Sequence, residues 1–325
     1  MRAIVVSELG GPDVLQLSDV DNLQPGPGEL LVKVGAAGVN FIETYQRSGL
    51  YKMPLPYTPG AEAAGHVLAV GEGVIGFQPG DRVATSDGRG SYAEQMIMSA
   101  ERTVHVPDGV DIKTAAAAML QGMTAHYLTQ STYPVKAGET ALVHAAAGGM
   151  GLLLTQLAKT AGAKVIGTVS SEAKAKLATE AGADEIVRYD QFEDEALAAE
   201  VLRRNGGQGV HVVYDGVGAS TFEASLASLR PRGMLVSFGN ASGPVPPMAP
   251  LRLSQGGSLF LTRPTLVNYI AARQELEWRA GDVFRWIQDG TLKLRIGAEY
   301  PLGEAGQAHR DLESRKTTGK LLLIP

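Results

Sequence analysis

Short runs of alternating apolar and polar residues fill the first third of the chain, separated by glycine and proline. Alternation with a period of two is typical of strands that bury one face. Turn residues, as in Pro25-Gly26-Pro27-Gly28, interrupt these runs. The sequence therefore predicts an irregular β region over residues 1 to about 115, with strands near 4–6, 30–34, 64–70 and 82–84.

The pattern changes near residue 120, and from about residue 140 continuous apolar runs alternate with helical segments. Strands that are apolar on both faces, with helices between them, are typical of a parallel sheet covered on both sides. The predicted strands are 141–144, 165–169, 186–187, 210–215, 234–238 and 258–262, with a last strand at 321–324. The predicted helices begin near 150, 172 and 219 and span about 194–204 and 267–289.

Two stretches without charged residues, 114–135 and 141–158, are long enough to raise the question of a membrane span. Polar residues interrupt the first stretch and three glycines interrupt the second, so both are interpreted as interior segments. The apolar run at residues 3–6 is too short for a secretion signal. We expect no membrane association, and the absence of cysteine fits a protein of the reducing cytoplasm.

Composition narrows the classes of function. The chain has 325 residues, 44 % of them hydrophobic, and a net charge of −5. Nucleic-acid binders need a basic face to displace counterions, so this charge argues against that class. The chain has no cysteine, which excludes disulfides, a thiol nucleophile, iron–sulfur clusters and zinc sites built on thiolates.

The main chemical signal is the glycine-rich turn between Val143 and Leu152, which joins a predicted strand to a predicted helix. In the dinucleotide fingerprint, glycines permit a tight turn, close approach of the pyrophosphate, and close packing of helix on strand. Gly148 and Gly151 hold two of the three glycine places, and Ala146 stands at the first. The context predicts nucleotide binding at Gly148, Gly149, Met150 and Gly151, and the alternative is a turn that only packs the helix on the strand.

The end of the next strand indicates which dinucleotide binds. An NAD site usually carries an acidic residue there to hold the ribose 2′-hydroxyl. This chain has Ser170 and Ser171 instead, followed by Lys174 in the first turn of a predicted helix. The helix dipole opposes a lysine at that place, so an anionic partner such as a 2′-phosphate is favoured, with Ser170 and Tyr189 as further donors. We therefore expect NADPH, and the alternative is a solvated Lys174 paired with Glu172 or another local acid.

Four segments together carry a resemblance to a known family. The segments are Asn40–Tyr51, Pro59–Gly65, Gln121–Ala125 and Ala145–Gly151. With them the chain resembles the NADPH:quinone oxidoreductases, the zeta-crystallin-like, zinc-free branch of the medium-chain dehydrogenase/reductase superfamily. The resemblance covers essentially the whole chain.

The resemblance implies a specific architecture. A GroES-like, β-rich catalytic domain would comprise residues 1–122 and 264–325, and a Rossmann domain with a doubly wound parallel sheet would comprise residues 123–263. The overall class is then α/β, with NADPH held in the cleft between the domains. The strand near 258–262 would be the sheet edge through which a homodimer forms.

The zinc-containing relatives hold a catalytic metal through a cysteine and through the histidine of a Gly-His-Glu motif. Here Asn40 falls near the cysteine place, and Ala61 replaces the histidine in Gly60-Ala61-Glu62. The six histidines are dispersed and are interpreted as ordinary packed or surface residues. The sequence therefore predicts no metal.

Without a metal, the chemistry left is direct hydride transfer from the nicotinamide to an acceptor that is already electrophilic, such as a quinone or a conjugated carbonyl. Tyr45 and Tyr51 would flank the quinone as hydrogen-bond or proton donors; alternatively they stack on it, and water supplies the proton. The resemblance implies that the following residues surround the cofactor: Asn40, Phe41, Ile42, Tyr45, Tyr127, Gly148, Gly149, Met150, Gly151, Ser170, Lys174, Tyr189, Phe238, Gly239, Asn240, Pro264, Thr265, Leu266 and Arg315.

Three functions compete at this point. The first is an NADPH-dependent quinone reductase. The second is an NADPH-dependent alkene reductase acting on an enone or an enoyl thioester. The third is a non-enzymatic NADPH-binding protein of the crystallin or RNA-binding type, against whose RNA-binding form the net charge of −5 argues.

Overall fold

The computed structural model describes residues 1–191 and 196–325. The chain divides into two compact units. Unit 1 comprises Met1–Met123 and Tyr269–Pro325, and unit 2 comprises Thr124–Asn268. The unit boundaries therefore fall after residues 123 and 268.

Three segments of the chain supply the helices and strands. The first segment contains β1 (Arg2–Val5), β2 (Gln16–Asp19), β3 (Glu29–Val39), α1 (Phe41–Arg47), β4 (Glu62–Val70), β5 (Arg82–Thr85), β6 (Gln95–Ser99), β7 (Val104–His105) and α2 (Ile112–Tyr127), which continues as a π-helical turn over Leu128–Thr132. The second contains β8 (Thr140–Val143), α3 (Gly149–Thr160), β9 (Lys164–Val169), α4 (Glu172–Glu180), β10 (Glu185–Arg188), α5 (Ala196–Arg204), β11 (Val210–Asp215), α6 (Phe222–Ala227), β12 (Leu229–Ser237), α7 (Leu251–Gln255), β13 (Phe260–Thr262) and α8 (Leu266–Tyr269). The tail contains α9 (Arg273–Gln288), β14 (Ile296–Pro301), α10 (Ala305–Glu313) and β15 (Lys320–Ile324).

Unit 1 is built on one large sheet, with strand order β14-β15-β3-β4-β5-β7 and with β6 also paired to β3. The long strand β3 is the centre of the sheet because β15, β4 and β6 all pair with it antiparallel. In the pairing with β15, Leu322 lies opposite Gly38. The apolar faces of these strands form the core of the unit, and the C-terminal strand contributes Leu321 and Leu323 to it.

Unit 2 contains a parallel sheet with strand order β10-β9-β8-β11-β12-β13. Numbered from its own first strand, this order is 3-2-1-4-5-6, the doubly wound arrangement. Strands such as β8 are buried along their whole length because helices cover both faces of the sheet. The predicted doubly wound parallel sheet is confirmed.

Two predicted helices differ from those observed. The segment 267–289 forms two helices, α8 and α9, and at the break between them Arg102 and Arg279 donate to the carbonyl oxygens of Ile270 and Tyr269. The helix predicted from about 219 begins at Phe222. The helix predicted from 194 is described from residue 196, and its first two residues lie outside the described part of the chain.

Among residues 1–191 and 196–325, no helix is both long enough and apolar enough to cross a membrane. The uncharged stretch 114–135 forms most of α2 and the turn after it, in agreement with the interior helix and loop predicted from its polar residues.

Candidate functional site

Most of the predicted cofactor residues of unit 2 share one location in the sheet. Five of its strands are followed, directly or after a few residues, by a predicted segment. These segments begin at Gly148 after β8, Ser170 after β9, Tyr189 after β10, Phe238 after β12 and Pro264 after β13. Because the strands are parallel, their carboxyl ends lie along the same edge. In open α/β sheets, ligands bind at that edge. The structure therefore brings these predicted residues together.

The glycine turn leads directly into α3, with Gly148 as the N-cap residue in extended conformation. A Cβ added at Gly151 would lie 2.3 Å from the carbonyl oxygen of Ala145, so only glycine permits this approach of helix to turn. Gly148, Gly149 and Met150 are half-buried at the start of the helix. The first N–H groups of a helix have no partner within it, and the dipole favours an anion there.

The departure from the glycine fingerprint at Ala146 is matched by a glycine in the neighbouring strand. Ala146 is fully buried, and its backbone N–H donates to the carbonyl of Thr168 at 3.0 Å. A Cβ at Gly167 would lie 2.8 Å from the Cβ of Ala146. The fingerprint has a glycine at the place of Ala146. The absence of a side chain at Gly167 therefore leaves space for the Ala146 methyl group.

A buried polar network supports the turn from within unit 2. His144 Nε2 lies 3.0 Å from the hydroxyl of Ser225, and Nδ1 lies 3.0 Å from the hydroxyl of Thr168. The Ser225 hydroxyl donates to Asp215, so it accepts from Nε2–H and the Thr168 hydroxyl donates to Nδ1. Burial lowers the pKa of His144, which favours its neutral form. His144 is therefore a packed structural residue, as predicted.

Two of the three residues predicted to bind a 2′-phosphate follow paired strands, and the third bonds to one of them. Val169 and Arg188 are paired in the sheet, so Ser170 and Tyr189 follow neighbouring positions. Lys174 Nζ donates to the Ser170 hydroxyl at 3.2 Å. Arg188, which the sequence did not single out, donates to Glu172 at 2.7 Å and so engages the acid considered as a partner of Lys174.

The ends of β11 and β12 are in close contact. A Cβ at Gly239 would lie 2.3 Å from the carbonyl oxygen of Gly216, and a Cβ at Gly216 would lie 2.8 Å from the Phe238 ring. Phe238, Gly239 and Asn240 are half-buried. Thr265 is exposed, whereas Pro264 and Leu266 are half-buried.

Tyr127 is placed differently from the other predicted residues of unit 2. It ends α2 and is only 1 % exposed. Its position comes from the helix before the sheet rather than from a strand end.

In unit 1 the predicted aromatic residues surround α1. The Tyr45 and Tyr51 rings pack edge to face with centroids 5.4 Å apart, and Phe41 stacks on Tyr45 at 6.2 Å. The backbone N–H of Tyr51 donates to the carbonyl of Tyr45 at 2.9 Å. Ile42 is half-buried on the same helix. The structure therefore brings both candidate proton donors together.

Arg315 is exposed and follows α10, with a positive φ of 60°. The ion pair of Arg47 with Glu313, at 2.7 Å, joins the end of α1 to the end of α10. This contact brings the segment that carries Arg315 to the α1 region.

Asn40 belongs to a buried polar cluster that sequence reasoning missed. Its oxygen Oδ1 accepts from Lys320 Nζ at 2.5 Å, and its nitrogen Nδ2 donates to Glu62 at 3.0 Å. Lys320 also donates to Glu62, and the side chains of the two are 1 % and 0 % exposed. The sequence feature that could have revealed this cluster is a charged residue at the buried start of each of two strands, Glu62 in β4 and Lys320 in β15.

The residues at the zinc-ligand places do not fit a zinc site. The Glu62 carboxylate is already paired with the Lys320 ammonium group, which is also bonded to Asn40, and Ala61 offers no ligand atom. In the described part of the chain, no three His, Cys, Asp or Glu residues are grouped to hold a metal ion.

A second buried polar cluster lies beside α1. Burial raises the pKa of Glu43 to about 7, although Lys320 and the backbone N–H groups of Ala61 and Asn40 oppose this shift. Burial, together with the charge of Arg47, lowers the pKa of His309 to about 3. His309 Nε2 lies 3.1 Å from the Tyr92 hydroxyl.

Comparison with protein families agrees with this architecture. Residues 26–108 match the family described as "Alcohol dehydrogenase GroES-like domain", and residues 149–287 match "Zinc-binding dehydrogenase". The first match lies in unit 1 and confirms its GroES-like fold. Together the matches place the chain in the medium-chain dehydrogenase/reductase superfamily.

Relatives define the family more narrowly. The chain is 47 % identical to a quinone oxidoreductase of Pseudomonas aeruginosa, over 100 % of this chain and 99 % of that protein. It is 40 % identical to a 2-haloacrylate reductase of a Burkholderia species, over 100 % and 99 %. A mycobacterial protein solved in complex with NADPH is 50 % identical, with a TM-score of 0.97 and 100 % of both chains covered. The chain belongs to the quinone oxidoreductase family, whose members are oxidoreductases.

Proposed function

We propose that this protein is an NADPH-dependent quinone reductase that transfers a hydride directly, without a metal. The observation that carries the proposal is the placement of Ser170, Lys174 and Tyr189 at the ends of the paired strands β9 and β10, since an NAD site usually has an acid after the second strand of the sheet. The solved complex of the mycobacterial relative with NADPH supports the same cofactor.

The cofactor would be held mainly by groups at the carboxyl edge of the sheet. The start of α3 would bind the pyrophosphate through backbone N–H groups. Lys174, together with the hydroxyl groups of Ser170 and Tyr189, would bind the 2′-phosphate. The resemblance also assigns cofactor contacts to Phe238–Asn240, Pro264–Leu266 and Tyr127 in unit 2, and to Asn40–Ile42, Tyr45 and Arg315 in unit 1. When bound, the reduced nicotinamide supplies the hydride.

The surface of unit 1 near α1 suits a flat apolar acceptor. Leu9, Leu50, Tyr51 and Leu55 are large apolar residues that remain 38–49 % exposed. Exposed apolar groups of this kind often mark a ligand or interaction site. Tyr45 and Tyr51 would either donate to the developing oxyanion of the quinone or stack on its ring.

An alkene reductase is the second candidate, and the 40 % identity to a 2-haloacrylate reductase favours keeping it. Both reactions deliver a hydride to an acceptor conjugated with a carbonyl group. They differ in where a proton is added after hydride transfer: at an oxygen, which gives a hydroquinone, or at the carbon next to the carbonyl group, which gives a saturated carbonyl compound.

One assay separates the candidates. Purified protein is mixed with NADPH and either 1,4-benzoquinone or a simple enone, and the absorbance of the reduced nicotinamide is followed. Turnover with the quinone supports the proposal, and turnover with the enone alone supports an alkene reductase. NADPH binding without turnover of either acceptor would indicate a non-enzymatic NADPH-binding protein.

We further propose a homodimer formed through β13, in a cytoplasmic protein. β13 is the last strand of the sheet in the described part of the chain and pairs there with β12 alone. Its residues Phe260 and Leu261 are 55 % and 37 % exposed. An apolar edge strand offers unpaired backbone groups to a second copy.

A further inference from the structure

The side chain of Asn40 is fully engaged inside unit 1. Its oxygen accepts from Lys320 Nζ at 2.5 Å, and its nitrogen donates to Glu62 Oε2 at 3.0 Å and, more weakly, to the Gly38 carbonyl at 3.4 Å. An ammonium group only donates and a carboxylate only accepts, so the two partners fix which end of the amide faces which way. Both polar ends of Asn40 are therefore held by protein groups.

The partners of Asn40 are themselves held in place. Glu62 Oε1 accepts from the backbone N–H of Leu120 in α2 at 2.6 Å, and Oε2 accepts from Lys320 and Asn40. Lys320 is the first residue of β15, the C-terminal strand. The cluster thus connects β4, α2 and β15 to Asn40, the N-cap residue of α1.

The backbone leaves room for this cluster at one position. A Cβ at Gly38 would lie 2.0 Å from Glu62 Oε2 and 2.8 Å from Lys320 Cε. A side chain there would displace the ion pair. The ion pair of Lys320 with Glu62 therefore requires a glycine at this position of β3.

A buried ion pair is a poor way to gain stability, because the cost of desolvating two charges often exceeds their attraction. An apolar pair of similar size would fill the same volume. What the ion pair supplies in addition is a fixed orientation for the polar group bonded to both of its members.

We propose that Lys320 and Glu62 are positioning residues that lock the side chain of Asn40 and, through it, shape the surface of unit 1 that receives the nicotinamide half of the cofactor. This inference rests on the proposed function. Because protein groups already hold the Asn40 amide, it donates no hydrogen bond to the cofactor. Asn40 then contributes to cofactor binding through the shape of its side chain and through its backbone.

The test compares NADPH with 2′,5′-ADP, which keeps the adenosine 2′-phosphate but lacks the nicotinamide. Calorimetric titration gives both dissociation constants for the wild type and for the charge-balanced variant Lys320→Met/Glu62→Gln, which avoids leaving one buried charge. We expect NADPH binding to weaken at least ~10-fold and 2′,5′-ADP binding to change less than ~2-fold, as for groups that contact only one half of a ligand. Lys33→Met, which removes an exposed lysine from β3, serves as the control and should change neither.

A double-mutant cycle separates positioning from general damage. Because Lys320 and Glu62 act through Asn40, adding Asn40→Ala to the charge-balanced variant should weaken NADPH binding less than ~2-fold further. The inference would be overturned if the charge-balanced variant bound NADPH with wild-type affinity, or if the binding of NADPH and of 2′,5′-ADP weakened equally. It would also be overturned if the losses of NADPH affinity caused by Asn40→Ala and by the charge-balanced substitutions multiplied. If the charge-balanced variant does not fold, Asn40→Ala is titrated with both ligands, and equal weakening again overturns the inference. Wild-type protein that binds neither ligand would overturn the proposed function itself, and the inference with it.

Discussion

Glu43 lies in a fully buried position on α1, where its two carboxylate oxygens accept the backbone N–H groups of Asn40 and Ala61. Those bonds and the charge of Lys320 favour the ionised form, yet burial still raises the pKa of Glu43 to about 7. A carboxyl group whose pKa is higher in the folded than in the unfolded state stabilises the fold most at low pH.

The pH dependence of unfolding tests this position. The contribution of Glu43 is fully present below its ordinary value of 4.5 and is lost as pH rises through about 7. We expect the free energy of unfolding of the wild type to lose roughly 3 kcal/mol from this group between pH 4 and pH 8. In Glu43→Gln that slope should disappear, whatever constant penalty the amide adds.

Urea unfolding at several pH values measures the slope, and Glu8→Gln, at an exposed position, is the matched control that should keep the wild-type slope. A Glu43→Gln variant with an unchanged slope would show that Glu43 does not titrate in this range.

Lys174 is the second position where one side chain carries a specific expectation. Its ammonium group lies beside the Ser170 hydroxyl at the end of β9. Lys174→Ala should weaken NADPH binding at least ~10-fold while leaving NADH within ~2-fold, because a charged contact to the 2′-phosphate is lost. Fluorescence titration with both cofactors measures this, with Lys176→Ala on the same helix as the control. Equal losses for the two cofactors would show that Lys174 does not read the phosphate.

At the scale of single elements, the position of α3 depends on the absence of a side chain at Gly151. The turn before it contains Ala145 with a φ of 50°, in the left-handed region, and the helix packs directly on that turn. A different glycine, Gly281 in α9, has open space around the position of a Cβ.

These two glycines form a matched pair for thermal unfolding. Gly151→Ala should destabilise the protein by about 1–3 kcal/mol, because the methyl group collides with backbone atoms. Gly281→Ala should stabilise it by up to about 1 kcal/mol, because alanine is the better helix former. A neutral Gly151→Ala variant would mean that α3 moves away from the turn at little cost.

The burial pattern of each helix and strand explains which of them could be predicted from the sequence. Strands β8, β9 and β11 were predicted within a residue or two because each is a continuous apolar run. β2 and β14 were not predicted, because their residues are largely exposed or half-buried and show no apolar run. Helix α1 was seen only as a distinctive run of residues, since seven residues give little periodicity.

At the scale of the whole molecule, the exposed edge of the unit 2 sheet predicts association. Phe260→Asp should convert the proposed dimer to a monomer, because a charge at the edge opposes strand pairing. Size-exclusion chromatography with light scattering gives the mass of each form. Ile75→Asp, at a position 91 % exposed in unit 1, is the control and should leave the mass unchanged. A Phe260→Asp variant with the wild-type mass would place any interface elsewhere.

The sequence by itself determined the fold class and placed the predicted cofactor residues of unit 2 at one edge of the sheet. Apolar runs report burial directly, and the residues after each run necessarily follow the carboxyl ends of parallel strands. The glycine turn and the absence of an acidic residue after β9 could also be identified from the sequence, because each is a local feature of a short segment.

Only the tertiary structure decided how distant polar residues pair. Lys320 bonds to Asn40 across 280 positions of the sequence and to Glu62 across 258. No pattern in the sequence around these residues predicts that they pair. The same holds for Arg47 with Glu313. Burial makes such contacts necessary, because a charge inside the protein requires a partner, but only the packing of β15 against β3 brings that partner within reach.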